Sequence, residues 1–379
     1  MRARFTEDQE LLRRSVREFL EAECPVSAVR AWTGDGERPG RLPDAIWKRM
    51  AGLGWPGLAV PEAAGGAGLG LVELAILLEE AGRTLLPGPL FSSALFGGVG
   101  LARAASAAQR DAWLPGVADG TLRVALALAE RGGDFDDYDP RGVALRAERD
   151  GDGVRLHGRK GFVLDADSAD RLLVAARGAG GLVLALVDPE AAGVALEPVA
   201  LVDTTRSFAD VAFAGARVDA GDVLAPPAGA GPALDAILAA ARVGVAAELC
   251  GIARRVLELS VAFAKTREQF GQPIGRFQAI QHKCADMLVR TEGAWSATYW
   301  AAWAVDRGEA DAAVAASMAK AAASEAAVFV TGQGLQIHGG LGFSWEQDPQ
   351  LYWKRARVSS LWLGDAAWHL DRVANATLG

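Results

Sequence analysis

Cysteine is scarce. The 379-residue chain holds three, Cys24, Cys250 and Cys284, and none is spaced as a disulfide framework or a zinc site would be. Its four histidines, His157, His282, His338 and His369, stand singly, which suits hydrogen-bonded structural roles better than a metal cluster. Positive charge is not in excess either. Lys and Arg number 39 against 47 Asp and Glu, a formal net charge of −8, which argues against nucleic acid and against an anionic membrane surface. No window of about 18 residues is both apolar and free of charge, so no membrane span is expected. The first residues reach charged helix at once, without an apolar leader. These absences lead us to expect a cytoplasmic, soluble protein.

What is present is an ordinary globular mix, 51% hydrophobic and 23% charged, in a chain too long for one comfortable core. Thr6 can cap a first helix whose opening turn is acidic, and Leu11, Leu12, Val16, Phe19 and Leu20 then recur at helical spacing. Further helices are expected over 46–53, 71–81 and 94–118. The glycine run at 65–70 has no strand before it, so it is not read as a nucleotide-binding loop. From about Leu122 the period changes to two. Residues 143–148 alternate, 150–153 form a turn and 154–157 resume, which is a hairpin signal. Segments 172–175, 182–187 and 208–213 add strands, and residues 226–229 read as a linker. Beyond it, Ile237, Ala241, Val245, Leu249, Ile252, Val256, Leu259 and Phe263 mark one apolar helical stripe. Three more helices are expected over 278–306, 311–336 and 349–376, completing a four-helix bundle. The fold class is α+β: an N-terminal helical domain (1–121), a middle β-barrel or sandwich domain (122–226) and a C-terminal helical bundle (227–379).

One stretch is odd for a simple connection. Residues 267–281 carry a guanidinium, several carboxamides and two phenyl rings around Gly271 and Pro273, which break a helix. Such groups grip a diphosphate and a flat aromatic ligand. They would equally serve an arginine that caps the preceding helix and a Phe270 folded into the core.

The pattern Arg267-x-Gln269-Phe270-Gly271-x-Pro273-Ile274, followed by Phe277-Gln278-x-x-Gln281, resembles the signature of the acyl-CoA dehydrogenases. The segment 336–343, Gln-Ile-His-Gly-Gly-Leu-Gly-Phe, resembles that family's other flavin-contacting piece, and weaker likeness runs from Phe5 to about Leu370. The resemblance implies a flavoprotein with FAD held across a subunit boundary, in a homo-oligomer (dimer or homotetramer) or a hetero-oligomer with a related subunit. It assigns Arg267, Gln269, Phe270, Phe277 and Gln278 to the adenosine–diphosphate end of a neighbour's FAD. Gln336, Gly339 and Gly340 receive the same end. Residues 126–130 and 158–164 resemble the segments flanking the isoalloxazine, with Phe162, Val163 and Leu164 against the ring. The implied substrate is an acyl-CoA or acyl-carrier thioester, and the implied acceptor an electron-transfer flavoprotein or equivalent.

The departures from the family are as informative. The hydroxyl residues that usually meet the ring edge are Ala129 and Leu164 here, and the usual tryptophan is Phe162. The two usual positions of the glutamate base read Leu363 and Ala241, and neither side chain can accept a proton. Asp365 lies two residues past the first position, and Glu248 lies seven past the second on nearly the same helix face; each could equally be a capping or solvated carboxylate. Three readings stand open: a dehydrogenase forming an α,β double bond in an acyl thioester, a flavin-dependent monooxygenase or N-hydroxylase on the same scaffold, and a base-lacking subunit of a hetero-oligomeric dehydrogenase. Ser317-x-x-Lys320 matches a nucleophile pattern but sits in an Ala-rich helix and reads as core. The tryptophans of the C-terminal third read as core or subunit contacts, with some available to line a substrate pocket.

Overall fold

The computed structural model describes residues 5–33, 41–130, 138–226 and 228–378; the first residues of the chain and Pro227 of the expected linker lie outside them. Packing groups the chain into two units interleaved in sequence, whereas composition suggested consecutive segments. One unit comprises Met1–Ala31, Ala75–Leu86 and Arg242–Gly379, the other Trp32–Leu74 and Pro87–Ala241.

The first unit is helical. Its α1 (Glu7–Glu23) starts at Thr6, whose Oγ1 accepts from Gln9 N (3.2 Å) while Gln9 Oε1 accepts from Thr6 N (2.9 Å), a reciprocal cap. α2 (Val26–Trp32) follows α1, and α3 (Asp44–Gly52) belongs to the second unit. The second half of α4 (Leu71–Arg83) lies directly against α8 (Ala230–Thr266). A Cβ added to Gly251 would stand 1.9 Å from Glu79 O, and one added to Gly82 would stand 2.3 Å from Glu248 O. Glycine is obligatory at both places because the two backbones touch. Charges trapped at this crossing are paired. Arg355 donates to Glu248 Oε1 (2.6 Å) and to Leu85 O (3.2 Å). Glu79 accepts from Tyr299 Oη (2.6 Å) and Trp295 Nε1 (3.0 Å), and burial pushes its carboxyl above the usual range.

The remaining helices are α9 (Gln278–Arg307), α10 (Ala312–His338), α11 (Pro349–Leu361) and α12 (Ala366–Leu378). The single helix expected over 349–376 is therefore two. Leu363 (φ 61°) and Gly364 (φ 103°) adopt left-handed backbone conformations, which no α-helix accommodates. α8 and α10 are long and apolar enough to cross a membrane, yet 94% and 61% of those windows are buried within the fold, so their apolar length is used in packing.

The second unit carries one seven-stranded sheet. Its strands are β1 (Val124–Ala127), β2 (Arg146–Asp150), β3 (Gly153–Leu164), β4 (Arg171–Gly178), β5 (Gly181–Val187), β6 (Val194–Pro198) and β7 (Phe208–Val218). Their order is β1-β4-β2-β3-β7-β6, with β5 also on β4. Alternate residues such as Leu156, Val163, Leu172, Val174 and Val211 form its core. The expected continuous helix over 94–118 is interrupted. α5 (Leu90–Ser92) runs into a fully buried π-helical stretch, Ser93–Gly100, then α6 (Leu101–Ala104), and Ser106 caps a new helix, α7 (Ala107–Ala118). π-Helical segments are rare and occur mostly as bulges within α-helices, so helical periodicity alone leads to one continuous helix here.

Candidate functional site

After α8 the chain makes a tight hairpin, β8 (Glu268–Gln269) and β9 (Gln272–Pro273), with Gln269 opposite Gln272. Its two loop residues are Phe270 (φ 55°) and Gly271 (φ 77°). A two-residue turn with both φ values positive is the type I′ arrangement, where Asn-Gly is preferred because a bulky residue is strained at the first position. Phe270 takes that position and is 91% exposed. It is not folded into the core, and it meets Phe277 edge-on at 6.0 Å between ring centroids. Arg267, Gln269 and Gln278 are exposed beside it, and Phe277 is half-buried. Arg267 O accepts from Ile274 N (2.8 Å), which closes the hairpin base and leaves the guanidinium outside.

The Gly339–Gly340 segment stands next to this hairpin. His338, at the end of α10, stacks on Phe263, one turn before Arg267, with ring centroids 4.4 Å apart. His338 Nδ1 lies 2.8 Å from Gly334 O, and burial holds the imidazole below its usual pKa. The glycines here divide by cause. A Cβ on Gly334 would meet Val256 Cγ1 at 2.4 Å and one on Gly342 would meet Leu335 O at 2.7 Å, so packing requires both. Gly339 has φ 59°. Gly340 has neither constraint: its φ is ordinary and a Cβ there would meet nothing within 4 Å. Gln336, Gly339 and Gly340 are all exposed. The seven residues assigned to the adenosine–diphosphate end other than Phe277 thus share solvent exposure, and the two segments share one end of the helical unit. A guanidinium, carboxamides, an exposed ring and an open glycine suit a dinucleotide diphosphate and base.

The ring-flanking segments belong to the sheet unit, and the fit there is poorer. β3 bulges at Gly161 and Phe162, since Lys160 pairs with Val211 and Val163 with Ala209. Phe162 (φ 50°) is 42% exposed, and its N–H donates to Asp210 Oδ1 at 3.2 Å. Val163 and Leu164 are fully buried, so their side chains pack the sheet and only their backbone could reach a ligand. Lys160, also buried, donates to Glu130 Oε1 (2.7 Å) and Leu128 O (2.8 Å), and Gly161 N donates to Ala129 O (2.8 Å). These bonds tie the two segments together without supplying the missing hydroxyls.

Neither candidate base is poised for proton transfer. Asp365 Oδ1 accepts from Trp368 N at 2.8 Å, which makes it the cap of α12. Glu248 is buried against Arg355, with Ser359 Oγ 3.5 Å from its other oxygen. Leu363 and Ala241 are themselves buried. Behind the turn between α11 and α12 sits a cluster of cations that sequence reasoning did not single out for this role. Lys320 Nζ donates to Ser324 Oγ (3.1 Å), Ser360 O (2.9 Å) and Gly364 O (2.7 Å), and burial with the neighbouring Arg242 pushes it down to about 7. His369 Nε2 lies 3.1 Å from Leu363 O. Arg242 and Arg372 stand over the Trp368 ring at 5.2 and 4.7 Å. Ser317 is buried one turn before Lys320, in keeping with core packing. Of the tryptophans, Trp362 is buried and Trp345 is 64% exposed.

Comparison with known proteins places this geometry. Residues 6–121 match the family profile described as the acyl-CoA dehydrogenase N-terminal domain, and residues 228–378 match the C-terminal domain profile. A 3-(aryl)acrylate reductase of Clostridium sporogenes is 30% identical over 95% of this chain and 96% of its own length. The acyl-CoA dehydrogenase FadE34 of Mycobacterium tuberculosis is 33% identical over 100% of this chain, which spans 49% of that longer protein. Among solved structures, a variant of the Tcur3481-Tcur3483 steroid ACAD is 34% identical with a TM-score of 0.87, covering 97% of each chain. The ChsE4-ChsE5 complex of Mycobacterium tuberculosis is 26% identical with a TM-score of 0.90, covering 100% of this chain and 99% of its own.

Proposed function

Since the chain belongs to the acyl-CoA dehydrogenase family, a family of oxidoreductases, we propose that it is one subunit of a hetero-oligomeric FAD enzyme that oxidises an acyl thioester to its α,β-unsaturated form. In this reading it completes the flavin site of a related partner and leaves α-proton removal to a carboxylate of that partner. The observation that carries it is a division of labour. The residues that the resemblance assigns to a neighbour's FAD are present and all but Phe277 are exposed, whereas the ring-edge hydroxyls and both base positions are lost. The two candidate acids are engaged elsewhere, Asp365 as a helix cap and Glu248 with Arg355.

Bound FAD would supply a hydride acceptor for the β-hydrogen. Arg267 would pair with its diphosphate, Phe270 would cover the adenosine end, and Gly339 and Gly340 would admit it close to backbone. The relatives named as two-component assemblies, and the relative about twice this length, support a paired arrangement. The steroid ACAD supports a bulky acyl group. An electron-transfer flavoprotein is the proposed acceptor. The three cysteines, Cys24, Cys250 and Cys284, form no disulfide, which suits a cytoplasmic setting.

The test is flavin stoichiometry. Purified with its related partner, the protein should carry about one FAD per two chains, and anaerobic addition of a bulky acyl-CoA should bleach it. If the chain alone binds one FAD each and is bleached by acyl-CoA, it is a self-sufficient homo-oligomeric dehydrogenase instead. Substrate-dependent oxygen uptake with a flavin reductase would point to the monooxygenase or N-hydroxylase chemistry of the same scaffold.

A further inference from the structure

Among the described residues, the chain that follows the glycine segment is packed on α10 at Gly342 and is gripped further on by one arginine. After Gly340 the chain passes Leu341, Phe343 and Trp345, which are 44, 64 and 64% exposed, so little apolar burial fixes its path. Arg30, on α2, reaches this loop from more than three hundred residues away. Its Nη1 donates to Trp345 O, and its Nη2 donates to Asp348 Oδ1 at 2.8 Å. Lys354, one turn into α11, stands 4.1 Å from the Trp345 ring centroid. One guanidinium therefore binds a backbone carbonyl in the middle of the loop and the carboxylate that begins α11. Its planar fork can hold both at a fixed separation, which an ammonium cannot.

We infer that Arg30 is a positioning residue for cofactor binding: by latching the 341–348 loop it sets Gly339 and Gly340 where the diphosphate and adenine must lie. The inference rests on the reading that this segment binds FAD.

The experiment uses the protein as purified with its partner, stripped of FAD and titrated with FAD, ADP and FMN. For Arg30→Ala, the FAD and ADP affinities should each fall by about 10-fold, the loss of one charge-assisted hydrogen-bonding group. FMN, which lacks the adenosine half, should bind as it does to the unaltered protein. Asp348→Ala, which removes one of the two anchor points, should show a smaller loss in the same two ligands. Thermal unfolding of the apoprotein should stay within a few degrees, as expected for a partly exposed ion pair. Equal FAD and ADP affinities in the unaltered and Arg30→Ala proteins would overturn the inference, as would an equal loss for FMN. If the unaltered protein binds no FAD with or without its partner, the family-based reading fails first and the Arg30 inference falls with it. Should Arg30→Ala not fold, Arg30→Lys provides the same comparison, with loss of ADP affinity expected and full retention counting against the inference.

Discussion

At the position where the family has a glutamate, Leu363 is left-handed, and the carbonyls of its turn are met by buried side chains. The carbonyls of Ser360 and Gly364 bind Lys320, and that of Leu363 faces His369. His369 is fully buried, and burial, reinforced by the neighbouring Lys320 and Arg242 charges, depresses its pKa to about 2. The sign follows directly. Between about 2 and the ordinary value of ~6.5 the unfolded chain binds a proton that the folded chain refuses, so stability falls as pH drops through this window. The slope contributed by this one group approaches ~1.4 kcal/mol per pH unit below pH 6. In His369→Gln, whose amide nitrogen can still donate to Leu363 O, urea unfolding should therefore lose less stability between pH 7 and pH 5 than the unaltered protein does. Equal losses would mean that His369 accepts a proton without penalty. That the two usual base positions hold Leu363 and Ala241, which cannot ionise, was legible from residues alone. The Lys320–His369 cluster was not, because nothing in an Ala-rich helix tells which lysine faces inward.

Among the elements, the hairpin of β8 and β9 shows most clearly a local rule broken. Strain at Phe270 is uncompensated by burial within the chain, and left-handed backbone costs a bulky residue ~1 kcal/mol or more relative to Asn or Gly. Phe270→Asn should therefore stabilise the protein by ~0.5–1 kcal/mol in urea unfolding while weakening FAD binding. Loss of stability, or unchanged FAD affinity, would count against a ligand-facing role. Sequence reasoning found this element through Gly271 and Pro273 and left Phe270 undecided between core and ligand; its exposure removes the core alternative. Elsewhere the 3.6-residue stripe of α8 and the turn at 150–153 were readable because each is local. The strands β1 and β6, the π-helical stretch and the break between α11 and α12 were not. β1 is a short apolar run buried on both faces, which periodicity cannot tell from helix. The break at Leu363 goes with buried side chains brought onto its carbonyls, Lys320 from α10 and His369 from α12, a tertiary cause without a local signature.

For the whole molecule, the order helix, sheet, bundle was legible because the period of hydrophobicity changes twice along the chain. The grouping into two interleaved units was not, because α4 joins the bundle through Gly82 and Gly251, whose reason is contact with a helix far away in sequence. Family membership came from motifs and is supported across both matched domains. The candidate site divides the same way. The residues that the resemblance assigns to its adenosine end were named one by one, and all but Phe277 are exposed. Its ring end was named by likeness and meets a surface where the side chains of Val163 and Leu164 are turned inward.

Gly340 has a consequence of its own. Its missing side chain leaves open space that this polypeptide does not need, so filling it should trouble someone else. Gly340→Leu should fold, melt and associate like the unaltered chain, yet assemblies built with it should emerge pale, which absorbance at the flavin band measures. If it also melted early, the vacancy would serve this chain's own architecture. Otherwise the lesion is inherited by the neighbour: mixed into normal subunits, the variant would poison active sites to which it contributes no reacting atom.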